Sequence, residues 1–467
     1  MRLLNLLTPA LAFLFTLTAS AEEPQFDPGE LSSYMEGEIR SGRVPGAAIA
    51  VVRGSEVIYA AGFGATQAGG EEQLTPRHAF RSASTLKMMV GLALVRLHEQ
   101  GRLDLHAPIS NYLSGLDPAI SHITTHQLLN HISGILDTSV EHTTPHDMTL
   151  AEYARSLDNS FVYVSPGASF SYSNPGYALA GAVLEAVTEM PFEEAMADLL
   201  FEPLQMNRST FSLSRAQDIG LAIGHRDQDG NLEVVPPAEN GLSARPSGTL
   251  FSTVLDYANF LVAFLDGGQF QEAEIWGEGA ASMMNTPQIP PAQLVTSYSY
   301  SYGLMIGQFH GQPALFHTGG MPGYASNVLI LPELDLGVVL FSNGEALDRM
   351  HVLYLIASQF AELETAEQRP GPEGLEPLAR EAAADLLGVY LQRDDLPTIR
   401  IFEQGEDIFL LNRGVRYRLH HEGGEFYIGI SDTGRWFRFR IATTPDGRYR
   451  FVQWWIRSFA RPLSAEH

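Results

Sequence analysis

Ser84-Thr85-Leu86-Lys87-Met88-Met89-Val90-Gly91-Leu92-Ala93-Leu94-Val95-Arg96-Leu97 is the stretch on which the fold turns. Apolar Leu86, Met89, Val90, Ala93, Leu94 and Leu97 recur at helical spacing and Gly101 follows as a stop, which predicts a helix over 84–100. Its first turn is a Ser-x-x-Lys. Positions i and i+3 share a helical face, so the Ser84 hydroxyl and the Lys87 amine can touch. The positive field of the helix N-terminus and burial both disfavour an ammonium there. This matters because a free lysine, with a pKa of about 10.4, is almost wholly protonated at neutral pH. A lone Ser-x-x-Lys arises by chance in most proteins. Here, however, the 29 lysines and arginines include a single lysine, Lys87. Arginine keeps its proton inside a protein, whereas a desolvated lysine can lose it. A surface lysine surviving by chance is the plain alternative.

Strand signals lie on both sides of this helix. Ala47 to Val52, a turn at Arg53-Gly54-Ser55, and Val57 to Phe63 read as a hairpin. From about 105 to 285 the pattern is helical and loop-rich, with helices near 124–130, 177–187 and 254–265. Apolar runs then return at 314–316, 327–331 and 336–341, separated by turns containing Gly and Pro. Strands from both ends of a segment with helices inserted between them predict an antiparallel sheet flanked by helices, an α+β arrangement. Residues 366–378 have linker composition. Beyond them, alternating runs at 398–402, 408–411, 425–429, 436–441 and 449–455 predict a small β-barrel or sandwich over 379–463.

At 467 residues the chain is long enough for two domains. Arg2, the apolar stretch from Leu3 to Leu17, and Ala19-Ser20-Ala21 read as a secretory signal cleaved after Ala21, leaving a first domain over 25–365. Asn5, Thr8 and Pro9 interrupt the stretch, which argues against an uncleaved spanning helix. A secreted or periplasmic protein without stable membrane insertion is expected. With no cysteine there is no disulfide and no thiolate nucleophile. A net charge of −25 disfavours nucleic acid and anionic membranes as partners.

Two further segments could carry chemistry. In Tyr172-Ser173-Asn174, on a loop before a helix, the tyrosine could relay protons and the asparagine could hold a substrate amide. In His317-Thr318-Gly319-Gly320, after a strand, the glycines let a substrate approach the backbone, and the Gly320 and Ser84 N–H groups could form an oxyanion hole. Alone, each has a plainer reading as a packed tyrosine, a turn asparagine and a Gly-rich turn. His126 and His131 are five apart, wrong for two metal ligands on one helical face, and 227–231 is half a calcium loop lacking its glutamate.

Taken in order, Ser-x-x-Lys, Tyr-x-Asn and His-Thr-Gly resemble the serine β-lactamase and penicillin-binding-protein superfamily, class C in particular. The segments 123–135 and 246–252 and Gly303-Leu304 support the likeness, which runs from about Gly46 to Asn343. The resemblance implies an all-helical subdomain beside the sheet, with the site between them. It implies Ser84 as nucleophile, Lys87 and Tyr172 as the proton-handling pair, Asn174 as substrate positioner, and Gly320 in the oxyanion hole. Such chemistry requires no metal or organic cofactor. The third motif departs from the β-lactamases proper, which place a lysine where His317 stands, so weaker carboxylate binding is expected. The expected substrate is a small ester, peptide or amide. A β-lactamase, a D-Ala-D-Ala carboxypeptidase, or a binding protein without turnover are the alternatives. The C-terminal β-domain resembles lipocalin-like modules, which could cap the site, bind a ligand or mediate oligomers; a plain packing module is the simpler alternative.

Overall fold

The computed structural model describes residues 26–137, 146–228, 230–289, 298–364, 374–391, 398–412, 414–443, 447, 449–454 and 457–462. The expected signal segment and residues 366–373 of the expected linker lie outside them.

Helix α1 (Gly29–Arg40), unmarked in the sequence reading, leads into the hairpin of β1 (Gly46–Arg53) and β2 (Glu56–Gly64). A 3-10 turn at Ala83–Thr85 opens α2 (Leu86–Glu99). The helix therefore starts two residues later than the apolar spacing predicts. The reason is Ala83, whose φ of 49° lies in the left-handed region and stops the helix from extending backwards. The helical section that follows includes α3 (Asn174–Thr188) and α4 (Val254–Leu265). Strands β3 (Ser299–Ser301), β4 (Leu304–Phe309), β5 (Gln312–Met321), β6 (Tyr324–Leu331) and β7 (Leu336–Ser342) return, and α5 (Arg349–Ala357) covers them.

These strands form one antiparallel seven-stranded sheet in the order β2-β1-β7-β6-β5-β4-β3. The chain ends of this domain thus meet at the centre, where β1 pairs β7 from Ala47↔Ser342 to Arg53↔Leu336. Both faces are covered. Ala48, Ala50 and Val52 of β1 join the core with α2 and α4, while Ala47, Ile49 and Val51 join the core under α1 and α5. A strand buried on both faces reads as a continuous apolar run, as 47–52 does. Helix α2 is apolar almost all round because it is enclosed, and all but Arg96, His98 and Glu99 of its residues are buried.

A second, eight-stranded sheet is made of β8 (Gly388–Tyr390), β9 (Ile399–Gln404), β10 (Asp407–Asn412), β11 (Val415–Gly423), β12 (Phe426–Ser431), β13 (Trp436–Thr443), β14 (Tyr449–Trp454) and β15 (Arg457–Pro462). Each strand pairs antiparallel with the next. The first and last strands approach each other, with the Arg461 guanidinium 5.6 Å from the Tyr390 ring centre, so the sheet is barrel-like. Its interior is filled by Tyr390, Ile399, Ile401, Leu410, Leu419, Phe439 and Val452. Among the described residues no helix is long and apolar enough to cross a membrane.

The sheet and α2 are locked together by glycines. A Cβ on Gly91 would lie 1.8 Å from the Tyr302 carbonyl oxygen, and one on Gly303 (φ 96°) would lie 2.4 Å from the Lys87 carbonyl oxygen. Gly91→Ala is therefore expected to destabilise the fold by about 1–3 kcal/mol or more through overpacking. Gly37→Ala in α1, where a Cβ meets nothing within 4 Å, is expected to be neutral or stabilising by about 0.5–1 kcal/mol. Denaturant unfolding of the two variants against the parent checks the contrast.

Candidate active site

The site is built on the turn before α2. Ala83 is buried with φ 49°, which turns the chain sharply and presents Ser84 half-buried at the helix start. The Ser82 carbonyl on the other side is held twice, by Thr85 Oγ1 at 2.7 Å and by Ser326 Oγ of β6 at 2.6 Å. One turn on, Lys87 is 0% exposed. Its Nζ lies 3.3 Å from Ser84 Oγ and 2.8 Å from Asn174 Oδ1, and it also donates to the Ser247 carbonyl oxygen. These three partners are neutral. The aromatic rings of Tyr172 and Tyr177 stand 4.9 and 5.2 Å from Nζ.

Asn174 is placed by the start of α3. Ser173 caps that helix, its hydroxyl accepting from the Gly176 N–H at 3.1 Å, and the Asn174 N–H donates to Asp137 Oδ1 at 2.9 Å. Tyr172, directly before the cap, is 5% exposed and packs its ring 4.2 Å from that of His131. Burial, and next Tyr172 itself, pushes Tyr177 well above the usual phenol range. Tyr300 is pushed well up by burial and then by Tyr177 and Tyr172. Both remain neutral phenols, Tyr177 with its ring beside Lys87.

The third motif lies on β5. Pairing with β4 ends at Met305↔Phe316, whereas pairing with β6 continues to Met321↔Tyr324. Residues 317–321 thus face the Ser84 turn with the edge that β4 leaves. Contact is close: a Cβ on Gly319 would fall 2.8 Å from the Ser82 carbonyl oxygen and 2.9 Å from Ala83 Cβ. Gly320 has open space around it and is exposed. Arg349 of α5 braces this strand from its other side, its Nη1 donating to the Gly319 and Ser326 carbonyl oxygens at 3.1 Å each.

His317 is 1% exposed and points into a polar chain. The Ser173 N–H donates to His131 Nδ1 at 3.0 Å, leaving Nε2 as the donor to Tyr300 Oη at 3.1 Å. Tyr300 Oη is 3.5 Å from His317 Nε2, and His317 Nδ1 donates to the Thr318 carbonyl oxygen at 2.6 Å. Every tautomer in this chain is set by its neighbour, and the chain ties the Tyr-x-Asn loop to the third motif. Burial, and then the Lys87 charge, pushes the His317 pKa down to about 3. His317 is therefore neutral at physiological pH.

The geometry brings Ser84, Lys87, Tyr172 and Asn174 together, sets Gly319 and Gly320 alongside, and keeps the His317 ring buried behind them. Sequence reasoning missed the Ser247 carbonyl, Asp137, Tyr300 and Arg349. Only Ser247, in the quoted 246–252 segment, carried a sequence signal. The histidines 126 and 131 take structural partners, Tyr302 for the former and Tyr300 for the latter, and Asp227, Gln228 and Asn231 belong to the paired strands of a two-stranded hairpin, with Gln228 opposite Asn231.

The Beta-lactamase family profile matches residues 30–359, more than half of the sequence. The chain belongs to the beta-lactamase family. Protein flp of Staphylococcus aureus (strain MW2) is 25% identical over 322 residues, which are 67% of this chain and 62% of that protein. The match thus spans less than two thirds of that relative's length. The crystal structure of SurE aligns with a TM-score of 0.77 at 24% identity, over 92% of this chain and 98% of that one. The octameric penicillin-binding protein homologue from Pyrococcus abyssi aligns with a TM-score of 0.66 at 23% identity, over 93% of this chain and 100% of that one. Shares this large extend past residue 359 into the C-terminal sheet, so the two-part architecture of this beta-lactamase family member recurs in both folds.

The depressed His317 pKa ties stability to pH. The unfolded imidazole, at about 6.5, binds a proton in the window from about 6.5 down to 3 where the folded one does not. Stability is then fully present above pH 6.5 and falls as pH drops through that window. The expected loss from this group between pH 7 and pH 5 is about 2 kcal/mol. Urea unfolding at the two pH values should show it, and His317→Asn should remove this share of the pH dependence.

Proposed function

We propose that this chain is a serine hydrolase that works through an acyl-enzyme on Ser84. The observation that carries the reading is the environment of Lys87 Nζ. Two of its partners, Asn174 Oδ1 and the Ser247 carbonyl, can only accept. Once Lys87 has released its proton, the amine keeps them with its two N–H bonds and turns its lone pair to the Ser84 hydroxyl, as a general base requires. As Ser84 Oγ attacks a carbonyl carbon, its proton passes to Lys87. The carbonyl oxygen takes the negative charge and is held by the N–H groups of Ser84 and Gly320. The proton moves through Tyr172 to the leaving group, and water then cleaves the acyl-enzyme by the reverse route. Asn174, its Oδ1 on Lys87, keeps an NH₂ to hold a substrate carbonyl. An extended acyl group can lie along 317–321 of β5.

Small esters, peptides and amides are the substrate class this site favours. A neutral, buried His317 offers no fixed cation for a carboxylate, which weighs against efficient turnover of penicillins and of free-carboxylate D-Ala-D-Ala ends. The N-terminal segment supports action outside the cytoplasm after export.

Intact mass after brief exposure to a fluorophosphonate is expected to show one adduct, absent in Ser84→Ala. Lys87→Met should slow that acylation by roughly 10²–10⁴-fold while the protein stays folded. No adduct on folded wild-type protein would sink the hydrolase reading in favour of a ligand-capture protein. With a penicillin, a persistent adduct is expected, and rapid turnover would instead point to a β-lactamase.

A further inference from the structure

The C-terminal barrel hydrogen-bonds the segment ahead of the α3 cap through Ser458. Segment 169–172, just ahead of the α3 cap, has one flank on residues 131–132. The Gly167 N–H donates to the Ile132 carbonyl at 2.7 Å, the Ser171 N–H to the His131 carbonyl at 2.8 Å, and the Ser173 N–H to His131 Nδ1 at 3.0 Å. Its other flank meets β15 of the barrel. There the Ser458 N–H donates to Ser171 Oγ at 3.1 Å, and Ser458 Oγ donates to the Phe170 carbonyl at 3.0 Å. Ser169 Oγ is also 3.0 Å from Ser458 Oγ.

The contact is dry: Ser458 is 0% exposed, and Ser169 and Ser171 are 3% each. Around it Ala442 and Phe451 of the barrel pack on Leu136, Tyr163 and Val164. Leu136 directly precedes Asp137, whose carboxylate fixes the Asn174 N–H. The barrel therefore presses on both segments that aim the Tyr172-Ser173-Asn174 motif. A domain attached only for packing would need apolar contact alone. Here Ser171 Oγ and the Phe170 carbonyl, one and two residues before Tyr172, draw partners from the barrel, and such groups are costly to leave unmet when buried.

We propose that Ser458 is a positioning residue for acylation, the barrel holding segment 169–172 so that Tyr172 and Asn174 stay aligned on Lys87. This rests on the hydrolase reading of the site. Ser458 touches none of the reacting groups and acts through Ser171 and the Phe170 carbonyl. Misplacement of an aligned group by about 1 Å can cost about 10²-fold in rate, so a small slip of this loop suffices.

The test uses the full chain as wild type, Ser458→Ala, Ser458→Thr and Ser171→Ala, with a p-nitrophenyl ester and a fluorophosphonate as probes. Ser458→Ala is expected to lower the maximal acylation rate about tenfold or more, with KM changed by less than about threefold and the melting temperature nearly kept. Ser171→Ala should do the same, and Ser458→Thr, which keeps the hydroxyl, should restore most of the rate. Wild-type rates in Ser458→Ala would overturn the proposal. So would a rise in KM at unchanged maximal rate, which would make the barrel a wall of the substrate pocket. A loss of rate that only follows a loss of folded protein, unrescued by threonine, would reduce Ser458 to a structural role. If the wild type itself forms no adduct, the hydrolase reading falls and this proposal with it.

Discussion

A primary amine with no exposed surface has to be held by its neighbours, and most of the structure ahead of the barrel is arranged around holding Lys87. The amine emerges from an enclosed helix that the sheet could not grip without the glycines at 91 and 303. Its partners come from three separate stretches of chain: the Ser84 turn, the start of α3, and the Ser247 loop. Bringing them to one atom requires the sheet that joins the two ends of the domain and the helical section between. A buried amine that lost these partners would carry a desolvation cost of several kcal/mol, so the site and the fold stand or fall together.

The parts visible in the sequence are those encoded locally. Helix α2 announced itself through its period, and 47–52 through an unbroken apolar run that a doubly covered strand needs. The first and third motifs were visible because each places its functional groups within four residues. Contacts that depend on the folded chain left no such trace. Strand β3 is only Ser299–Ser301, too short to stand out although Ser and Tyr alternate through it, and β4 breaks its apolar run at Gly307 and Gln308. The chain from Ser173 through His131 and Tyr300 to His317 joins residues 131, 173, 300 and 317, which no periodicity links. His131 itself holds a left-handed φ of 57°, a conformation that sequence gives no reason to assign to a histidine.

The substitution of histidine for lysine in the third motif looks at first like a weakened cation. The geometry makes it a different device. The imidazole accepts from a tyrosine and donates to the Thr318 carbonyl, so the residue contributes rigidity where a lysine would contribute charge. The barrel serves a related end from outside the domain. Its interior is packed with side chains, leaving its surface, β15 above all, as the part that meets the rest of the molecule.

The burial of the one lysine also changes how this protein meets reagents. Succinimidyl esters, aldehydes and other amine-directed chemicals normally decorate a protein surface through lysine. In this sequence the only ε-amine is enclosed, so the folded domain presents arginines in its place. Labelling of Lys87 becomes a reporter of opening: a single modification marks the moment α2 leaves the sheet. Side-chain immobilisation or cross-linking of the native protein is better served by carboxylates, which the sequence supplies in excess with 54 Asp and Glu.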